Sequence, residues 1–209
     1  MSKNVKRCLK EPISEISLAA DLLSQAVRAH FDGDSILAEH LFQKADIPAI
    51  RDWTESIWGP MGVYSQLVKT LGNPKTLPKN ERDSVRMPTK SLEIELLKRD
   101  GFNCRFCGIP LIRKETRLFF HKKYPNAVRW GKTNTEQHAA FQAMWMQFDH
   151  LIPHARGGKT SKDNLLITCA PCNYGRMNFL VDEIGLFKPN TDIENLSTWV
   201  GLEMGLILE

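Results

Sequence analysis

The sequence predicts an α+β protein in which a helical N-terminal region precedes a domain that contains two strands and a helix. Three observations lead to this prediction. Apolar residues recur at three- and four-residue steps from Ser14 to Leu71, which is the spacing of amphipathic helices. Two Cys-x-x-Cys pairs lie in the second half of the chain. Between these pairs lie two short runs that favour strands.

Composition limits the function only weakly. The chain has 209 residues, of which 42% are hydrophobic and 25% charged, so it is long enough for one sizeable domain or two small ones. Its formal net charge of +4 permits a polyanionic partner without identifying one. The first residues lack the apolar core of a secretory signal. The sequence also contains no run of about 18 apolar residues, which is the length needed to cross a bilayer. We therefore expect a cytoplasmic protein.

Residues 1–85 are predicted to form a helical region. One helix runs from Ser14 to about His30, and a second runs from Ser35 to Lys44 with Asp34 as its N-cap. The other two predicted helices are one that has Pro48 in its first turn and ends before Pro60, and one that ends at Gly72. The role of this region stays open, because its apolar stripes suit a protein partner, self-association or restraint of the second domain.

Residues 73–90 are predicted to be a linker, since they are polar, contain three prolines and show no periodicity. The predicted second domain, residues 86–209, begins with a helix from Ser91 to about Asp100 that Gly101 ends. From residue 181 to the C-terminus we expect short helical or irregular structure, in which Trp199 packs against the domain. Trp53 and Trp58 have helical spacing, which is more typical of core residues than of a binding surface.

The four paired cysteines predict a structural zinc site. Each Cys-x-x-Cys pair can hold one ion from a tight turn, and two pairs complete the tetrahedral shell of four sulfurs that structural zinc prefers. A closed shell leaves no position for water or substrate, so this Zn²⁺ is expected to stabilise the fold and to take no part in catalysis. The predicted ligands are Cys104, Cys107, Cys169 and Cys172. Cys8 has no partner and no predicted role.

The segment between the cysteine pairs contains the residues most suited to chemistry. The strings RDGFNCRFCG, FDHLIPHARGG, DNLLITC and APCNYGR lie between residues 99 and 176. Together they resemble the HNH endonuclease family in the form that zinc stabilises, over about residues 91–180. The resemblance implies a ββα-metal fold, in which a hairpin and a helix hold one divalent ion. It covers less than half of the chain.

The resemblance also implies roles for four residues. Asp149 and Asn173 would supply oxygen ligands to a catalytic Mg²⁺ or Mn²⁺ ion. His150 would act as the general base, since imidazole titrates near neutral pH. Asn164 would support the loop and orient His150. Neighbouring strand residues point to opposite faces, so Asp149 and His150 can share a site only if the strand twists or ends there.

Three further residues are candidates for phosphate contacts. They are His154, Arg156 and Arg176. Each also has a structural alternative, such as an exposed loop position for His154. The stretch from Arg113 to Lys132 mixes cations with aromatic residues, which suits either a nucleic-acid track or a solvated basic face over a small core.

The sequence therefore predicts a metal-dependent HNH endonuclease that hydrolyses DNA phosphodiester bonds. Two alternatives stay open. A non-catalytic zinc module could bind nucleic acid or protein through the same cysteines, and the substrate could be RNA, because hydrolysis by an activated water does not require the 2′-hydroxyl. Target sequence, nicking against double-strand cutting, and oligomeric state do not follow from the sequence.

Overall fold

The computed structural model describes residues 5–195 and 197–203, which contain eight α-helices and one two-stranded sheet. The fold class is the α+β arrangement that the sequence predicts. Single 3₁₀ turns occur at Lys79–Glu81, Asn134–Glu136 and His154–Arg156. The main elements in chain order are α1 (Ser14–Phe31), α2 (Ser35–Lys44), α3 (Pro48–Trp58), α4 (Val63–Leu71), α5 (Lys90–Asp100), α6 (Lys114–Lys123), α7 (Ala139–Ala143), β1 (Met146–His150), β2 (Leu165–Cys169) and α8 (Ala170–Arg176).

The first four helices lie where the hydrophobic spacing predicts them. The side chain of Asp34 accepts a hydrogen bond from the Leu37 amide at 2.9 Å, so it caps α2 as expected. Helix α3 has Pro48 in its first turn, where the missing N–H costs no intrahelical hydrogen bond. Gly72 ends α4 with a φ of 78°, a value that L-residues rarely adopt.

The apolar stripe of α1 is buried inside the chain. Helix α1 packs mainly against α2, and it also contacts α3 and α7. This packing accounts for the stripe without an external partner. A role for residues 1–85 in binding a partner or in self-association stays a prediction. The buried side chains of the stripe include Ile16, Ala19, Ala20, Leu23 and Val27.

One buried core joins the N-terminal helices to the second half of the chain. Helix α3 packs against both α7 and α8. The carboxylate of Asp46, just after α2, accepts hydrogen bonds from Arg51 at 3.1 Å, from Arg129 at 2.7 Å and from the amide of Ala139 at 2.7 Å. We call these four residues the Asp46 cluster. The division of the chain at residue 85 stays a prediction from the sequence.

Strands β1 and β2 form an antiparallel hairpin. Its register pairs Met146 with Cys169 at one end and His150 with Leu165 at the other. Helix α8 begins directly after β2 and packs across both strands. The cysteine pair of β2 and α8 therefore lies at one end of the hairpin, and the predicted catalytic residues lie at the other.

A buried ion pair at the end of α5 fixes the middle of β2. The carboxylate of Asp100 is fully buried and pairs with Arg99 at 2.7 Å. It also accepts a hydrogen bond from the Ile167 amide at 2.9 Å, while Arg99 donates to the carbonyl oxygen of Leu165 at 2.6 Å. These bonds satisfy backbone groups of β2 on the edge that has no neighbouring strand. Helix α5 thus sets the position of the hairpin.

The C-terminal extension has no regular helix or strand over its described part, residues 181–195 and 197–203. The indole nitrogen of Trp199 donates to the carbonyl oxygen of Leu111 at 2.8 Å, so Trp199 holds this segment as expected. Glu203 forms an ion pair with Arg113. The predicted structure of residues 204–209 lies outside the described residues. None of the helices in the described ranges is both long enough and apolar enough to cross a membrane.

Candidate active site and metal centre

The four paired cysteines meet at one point inside the protein. Their sulfur atoms all lie within 4.8 Å of one another. A Zn–S bond of about 2.3 Å places neighbouring sulfurs of a tetrahedral site on the order of 3.8 Å apart. The Sγ atoms of Cys107 and Cys169 are 3.6 Å apart, which fits that geometry. The cluster is thus a four-sulfur metal site compatible with zinc.

The chemistry of these thiols also favours a cation. Burial raises the pKa of Cys169 well above its usual range. Burial opposes ionisation of Cys104 too, but hydrogen bonds from the other three cysteines outweigh it and lower the pKa of Cys104. Without an ion the cluster therefore favours one thiolate that its neighbours share. A divalent cation allows all four to ionise.

A cavity of about 380 Å³ lies at the other end of the hairpin. It brings together residues that are distant in sequence. Strand β1 ends at His150, so Asp149 and His150 open on the same cavity although neighbouring strand residues usually face apart. The walls include Asp149, His150, His154, Asn173, Arg82 and Arg86.

The imidazole of His150 is held in one orientation. Thr160 donates its only hydroxyl proton to the carbonyl oxygen of Val85 at 2.7 Å. Its Oγ1 atom, 3.0 Å from His150 Nε2, must therefore accept a proton from that nitrogen. His150 is thus the Nε2–H tautomer, and the lone pair of the ring lies on Nδ1. This nitrogen makes no hydrogen bond to any described residue.

The surroundings of His150 keep it neutral. Burial, followed by the nearby His154, Arg86 and Arg176, lowers the pKa of His150 to about 4. Three positive or titratable neighbours disfavour a second proton on the ring. At neutral pH the Nδ1 lone pair is therefore available to accept a proton.

Asp149 is paired with a buried arginine of α8. The guanidinium of Arg176 donates to Oδ1 of Asp149 at 2.5 Å and to Oδ2 at 3.3 Å. Burial raises the pKa of Asp149, although the charge and hydrogen bonds of Arg176 oppose this. A carboxylate offers about four lone-pair positions, so this bidentate pair leaves others for an ion. The pair also fixes the carboxylate in one orientation.

Two asparagines predicted for the site have different surroundings. Asn164 lies beside the loop after β1, where it accepts from the Ile152 amide at 2.8 Å and donates to the carbonyl oxygens of Ile152 at 3.1 Å and Lys159 at 2.9 Å. Asn173 lies in α8, half-buried, and its side chain has no hydrogen-bond partner among the described residues. The amide of Asn173 is thus free to take a ligand.

The three candidates for phosphate contacts have different surroundings in the structure. Arg176 is fully buried and also donates to the carbonyl oxygens of His150 and Phe179, so it has no surface for a phosphate. Arg156 pairs with Glu183 at 2.6 Å. Burial therefore argues against Arg176 as a phosphate contact, whereas the partly exposed Arg156 stays a candidate. His154 lines the cavity, with its Nε2 atom 2.8 Å from the carbonyl oxygen of Asp83.

The stretch from residue 113 to 132 uses several of its cations inside the protein. Arg113 pairs with Glu203, Arg129 pairs with Asp46, and Arg117 lies 3.6 Å over the ring of Trp130. Arg117 is almost fully buried, and burial lowers its pKa. These contacts favour the structural alternative over a continuous nucleic-acid track.

The segment between α4 and α5 contributes to the site, which the sequence reasoning missed. This segment, residues 72–89, is called the connector below. Its backbone contacts the loop after β1 through Thr160, His154 and the Leu77 amide, which donates to Ala155 at 2.8 Å. It places Arg82 and Arg86 in the wall of the cavity. Arg86 is exposed and has no carboxylate partner among the residues described.

The lack of periodicity in the connector correctly indicated irregular structure. No local pattern, however, shows which surface an irregular segment covers. The one available signal was the alternation of its arginines with turn-forming residues next to a domain that was expected to bind a polyanion.

Comparison with known proteins identifies the hairpin region. Residues 136–178 match the family model described as HNH endonuclease. No curated protein and no solved structure matches the chain. The matched range contains α7, both strands, the second cysteine pair and α8. The chain therefore carries a domain that matches the HNH endonuclease family over residues 136–178, and two of the four cysteines placed to bind a metal ion lie within that range.

Proposed function

We propose that this protein is an endonuclease that hydrolyses phosphodiester bonds of DNA in the cavity at the end of the β1–β2 hairpin. The observation that supports this best is the arrangement around His150. A neutral imidazole with its Nδ1 lone pair unpaired faces a cavity that also holds two oxygen donors and two arginines. The match to the HNH family gives the general class of reaction, and the cavity supplies groups suited to each part of it.

In this proposal His150 is the general base. Its Nδ1 atom accepts a proton from a water molecule as the water oxygen attacks the phosphorus. The bond from phosphorus to the 3′ oxygen breaks, so the products carry a 5′ phosphate and a 3′ hydroxyl. Thr160 holds the ring so that Nδ1, and not Nε2, faces the cavity. Asn164 supports the loop that carries Pro153 and Thr160.

Asp149 and Asn173 would hold one divalent ion, Mg²⁺ or Mn²⁺. Their side chains offer a carboxylate and an amide oxygen from two sides of one cavity, which is the donor set that these hard cations prefer. Such an ion, when bound, stabilises negative charge on the phosphate and on the departing oxygen. Arg176 keeps the Asp149 carboxylate oriented. The cysteine cluster would hold Zn²⁺ with a purely structural role.

The connector would bind the phosphate backbone. Arg86 is exposed at the cavity and unpaired, and Arg82 lines the same wall while donating to the carbonyl oxygen of Leu77 at 2.7 Å. Both guanidinium groups can contact phosphate oxygens, which fix the position of a strand without reading its sequence. They take the role that the sequence predicted for Arg176, and Arg156 stays a further candidate. His154 stays a candidate for a third contact.

The test is cleavage of supercoiled plasmid by wild type and by His150→Ala, with magnesium, with manganese and without a divalent ion. We expect nicking that depends on the ion and falls about 100- to 10,000-fold in the variant. His40→Ala is the matched control, because His40 lies exposed on α2, far along the chain from the cavity. Zinc content and melting temperature are measured for all three proteins first.

If His150→Ala cleaves as fast as wild type, the assignment of the base is wrong. If zinc-loaded wild type cleaves neither DNA nor RNA with either ion, the alternative of a non-catalytic zinc module that binds nucleic acid or protein gains. One observation favours that alternative, since the buried pair of Asp149 with Arg176 also has a purely structural use. A parallel digest of RNA separates the two nucleic acids.

A further inference from the structure

A second cavity of about 380 Å³ adjoins the candidate active site. Four aromatic side chains line it, from three separate parts of the chain: Trp58, Tyr64, Trp145 and Tyr174. Tyr174 and Met177 belong to the walls of both cavities, so the two spaces are neighbours across α8 and the residue that follows it. A ligand that fills the active-site cavity would thus lie next to this aromatic cavity.

The aromatic walls are held in place by their own contacts. The ring of Trp58 meets that of Tyr174 edge to face, with centroids 5.1 Å apart. Trp145 meets Trp130 edge to face at 5.7 Å and Tyr174 at 6.5 Å, and the guanidinium of Arg117 lies 3.6 Å from the ring centroid of Trp130. The walls are therefore organised before any ligand binds, which reduces the entropy cost of binding.

The polar groups of the aromatic cavity form a chain with a fixed direction. The carboxylate of Glu55 accepts from Asn134 Nδ2 at 2.5 Å, so the oxygen of Asn134 faces away from it. That oxygen accepts from Gln142 Nε2 at 2.8 Å. The remaining atom, Oε1 of the buried Gln142, has no partner among the described residues. A buried acceptor without a partner is costly unless a ligand or water satisfies it.

We propose that this aromatic cavity is a nucleobase subsite, which holds one unstacked base of the strand that lies in the active site. Flat aromatic walls suit a flat ring, and none of the residues that line the cavity is charged, which disfavours an ionic ligand. Every base carries an N–H donor on its pairing edge, and such a donor matches the unpartnered oxygen of Gln142.

The neighbouring position of the two cavities supports this occupant. A base and its phosphate belong to the same nucleotide, so a phosphate at His150 places the attached bases close by. This subsite rests on the proposed function, because it assumes that the active-site cavity receives the sugar–phosphate backbone. A base in this position has left its duplex stack, so the subsite also predicts a preference for single-stranded, mismatched or frayed substrates over intact duplex.

The experiment measures binding and not cleavage. Labelled single strands of thymidines and abasic strands of equal length are titrated, without magnesium or manganese, against wild type, Trp58→Leu and Tyr64→Leu. We expect Trp58→Leu to raise the Kd for the thymidine strand about 5- to 100-fold and to leave the Kd for the abasic strand unchanged within about twofold. Trp199→Leu is the control for loss of an indole outside both cavities.

Each outcome decides a different point. The subsite is wrong if both aromatic variants bind thymidine strands as wild type does. It is also wrong if the variants lose affinity for thymidine and abasic strands equally. If base-dependent binding is lost as expected but wild type cleaves nothing with any ion, the proposed function fails and the subsite stands as a binding site. Gln142→Leu, measured on the same strands, should weaken only the thymidine strand, by about fivefold.

Discussion

The two ends of the β1–β2 hairpin carry two sites built in opposite ways. They lie about 14 Å apart along the strands, at roughly 3.4 Å per residue. At one end the four cysteines are buried, and their sulfur atoms lie within 4.8 Å of one another. At the other end Asn173 and the Nδ1 atom of His150 have no partner in the described protein, and they face an open cavity.

This difference separates a site whose groups meet within the chain from one whose polar groups are open to a ligand. The cysteine cluster satisfies all its ligand positions within the chain, so an ion there has no free coordination position. His150 is oriented by Thr160 and Asp149 by Arg176, while the Nδ1 atom of His150 and the side chain of Asn173 have no hydrogen-bond partner among the described residues. Substitutions at the first end should therefore change stability, and substitutions at the second should change activity.

The largest expected effect is at the cysteine cluster. Cys169→Ser should lose the metal ion and the cooperative melting transition, because this residue joins β2 to α8 and the ion contributes directly to folding. Zinc content, circular dichroism and a thermal melt measure it. Cys8→Ser is the matched control, since Cys8 is buried but does not belong to the four-cysteine group. A Cys169→Ser protein that binds no metal ion but is as stable as wild type would show that the ion has no structural role.

The next effect tests the open end. Asn173→Ala should lower the cleavage rate about 100-fold and leave the melting temperature nearly unchanged, because the side chain makes no hydrogen bond within the described protein. Added manganese should raise the melting temperature of wild type and not of this variant. A large loss of stability without a loss of cleavage would assign Asn173 to the fold.

The sequence predicted the elements well where local chemistry decides them. The cap at Asp34, the proline at the start of α3 and the glycine after α4 are local signals, and each lies where the structure has it. The four-cysteine site could also be predicted, because two Cys-x-x-Cys pairs favour a shared metal ion. These features depend on residues within a few positions or on an unusual side chain.

Three-dimensional partners could not be predicted in the same way. Arg176 stands next to the site in sequence, yet its guanidinium is buried against Asp149. Arg86 stands in a segment without periodicity, yet it reaches the cavity. Trp58 has core-like spacing but lines the aromatic cavity, whereas Trp53 on the same helix is buried. Which of two similar side chains meets solvent depends on packing between distant segments, and periodicity does not encode that packing.

A smaller effect tests how the open end is oriented. Thr160→Val keeps the shape of the side chain but removes the acceptor for His150 Nε2, so kcat should fall about tenfold with KM nearly unchanged. Thr160→Ser should restore most of the rate, because it retains the hydroxyl that links His150 to the connector. The kinetics on plasmid substrate measure both variants. Equal rates for Thr160→Val and wild type would show that the imidazole needs no such support.

The smallest effect concerns the Asp46 cluster, whose charged groups pair with one another within the protein. Burial would raise the pKa of Asp46, but the nearby His138, the Ala139 amide and the Arg129 guanidinium outweigh it and lower the pKa from its usual range. A lowered carboxyl pKa stabilises the folded state above the unfolded value, and this stabilisation is lost as pH falls through the folded value. Wild type should therefore lose stability below about pH 4 to 5.

Asp46→Asn removes the carboxylate charge, so it tests the contribution of that charge to stability separately from activity. The variant should be about 1 to 2 kcal/mol less stable than wild type at pH 7, because Arg51 and Arg129 lose a charged partner. The difference should shrink as pH falls toward 3, since wild type then loses the same charge. Urea unfolding at several pH values measures it, with cleavage at pH 7 unchanged within about twofold. A stability gap that stays constant with pH would show that the charge of the Asp46 carboxylate does not stabilise the contact of α2 with Arg129 and Ala139.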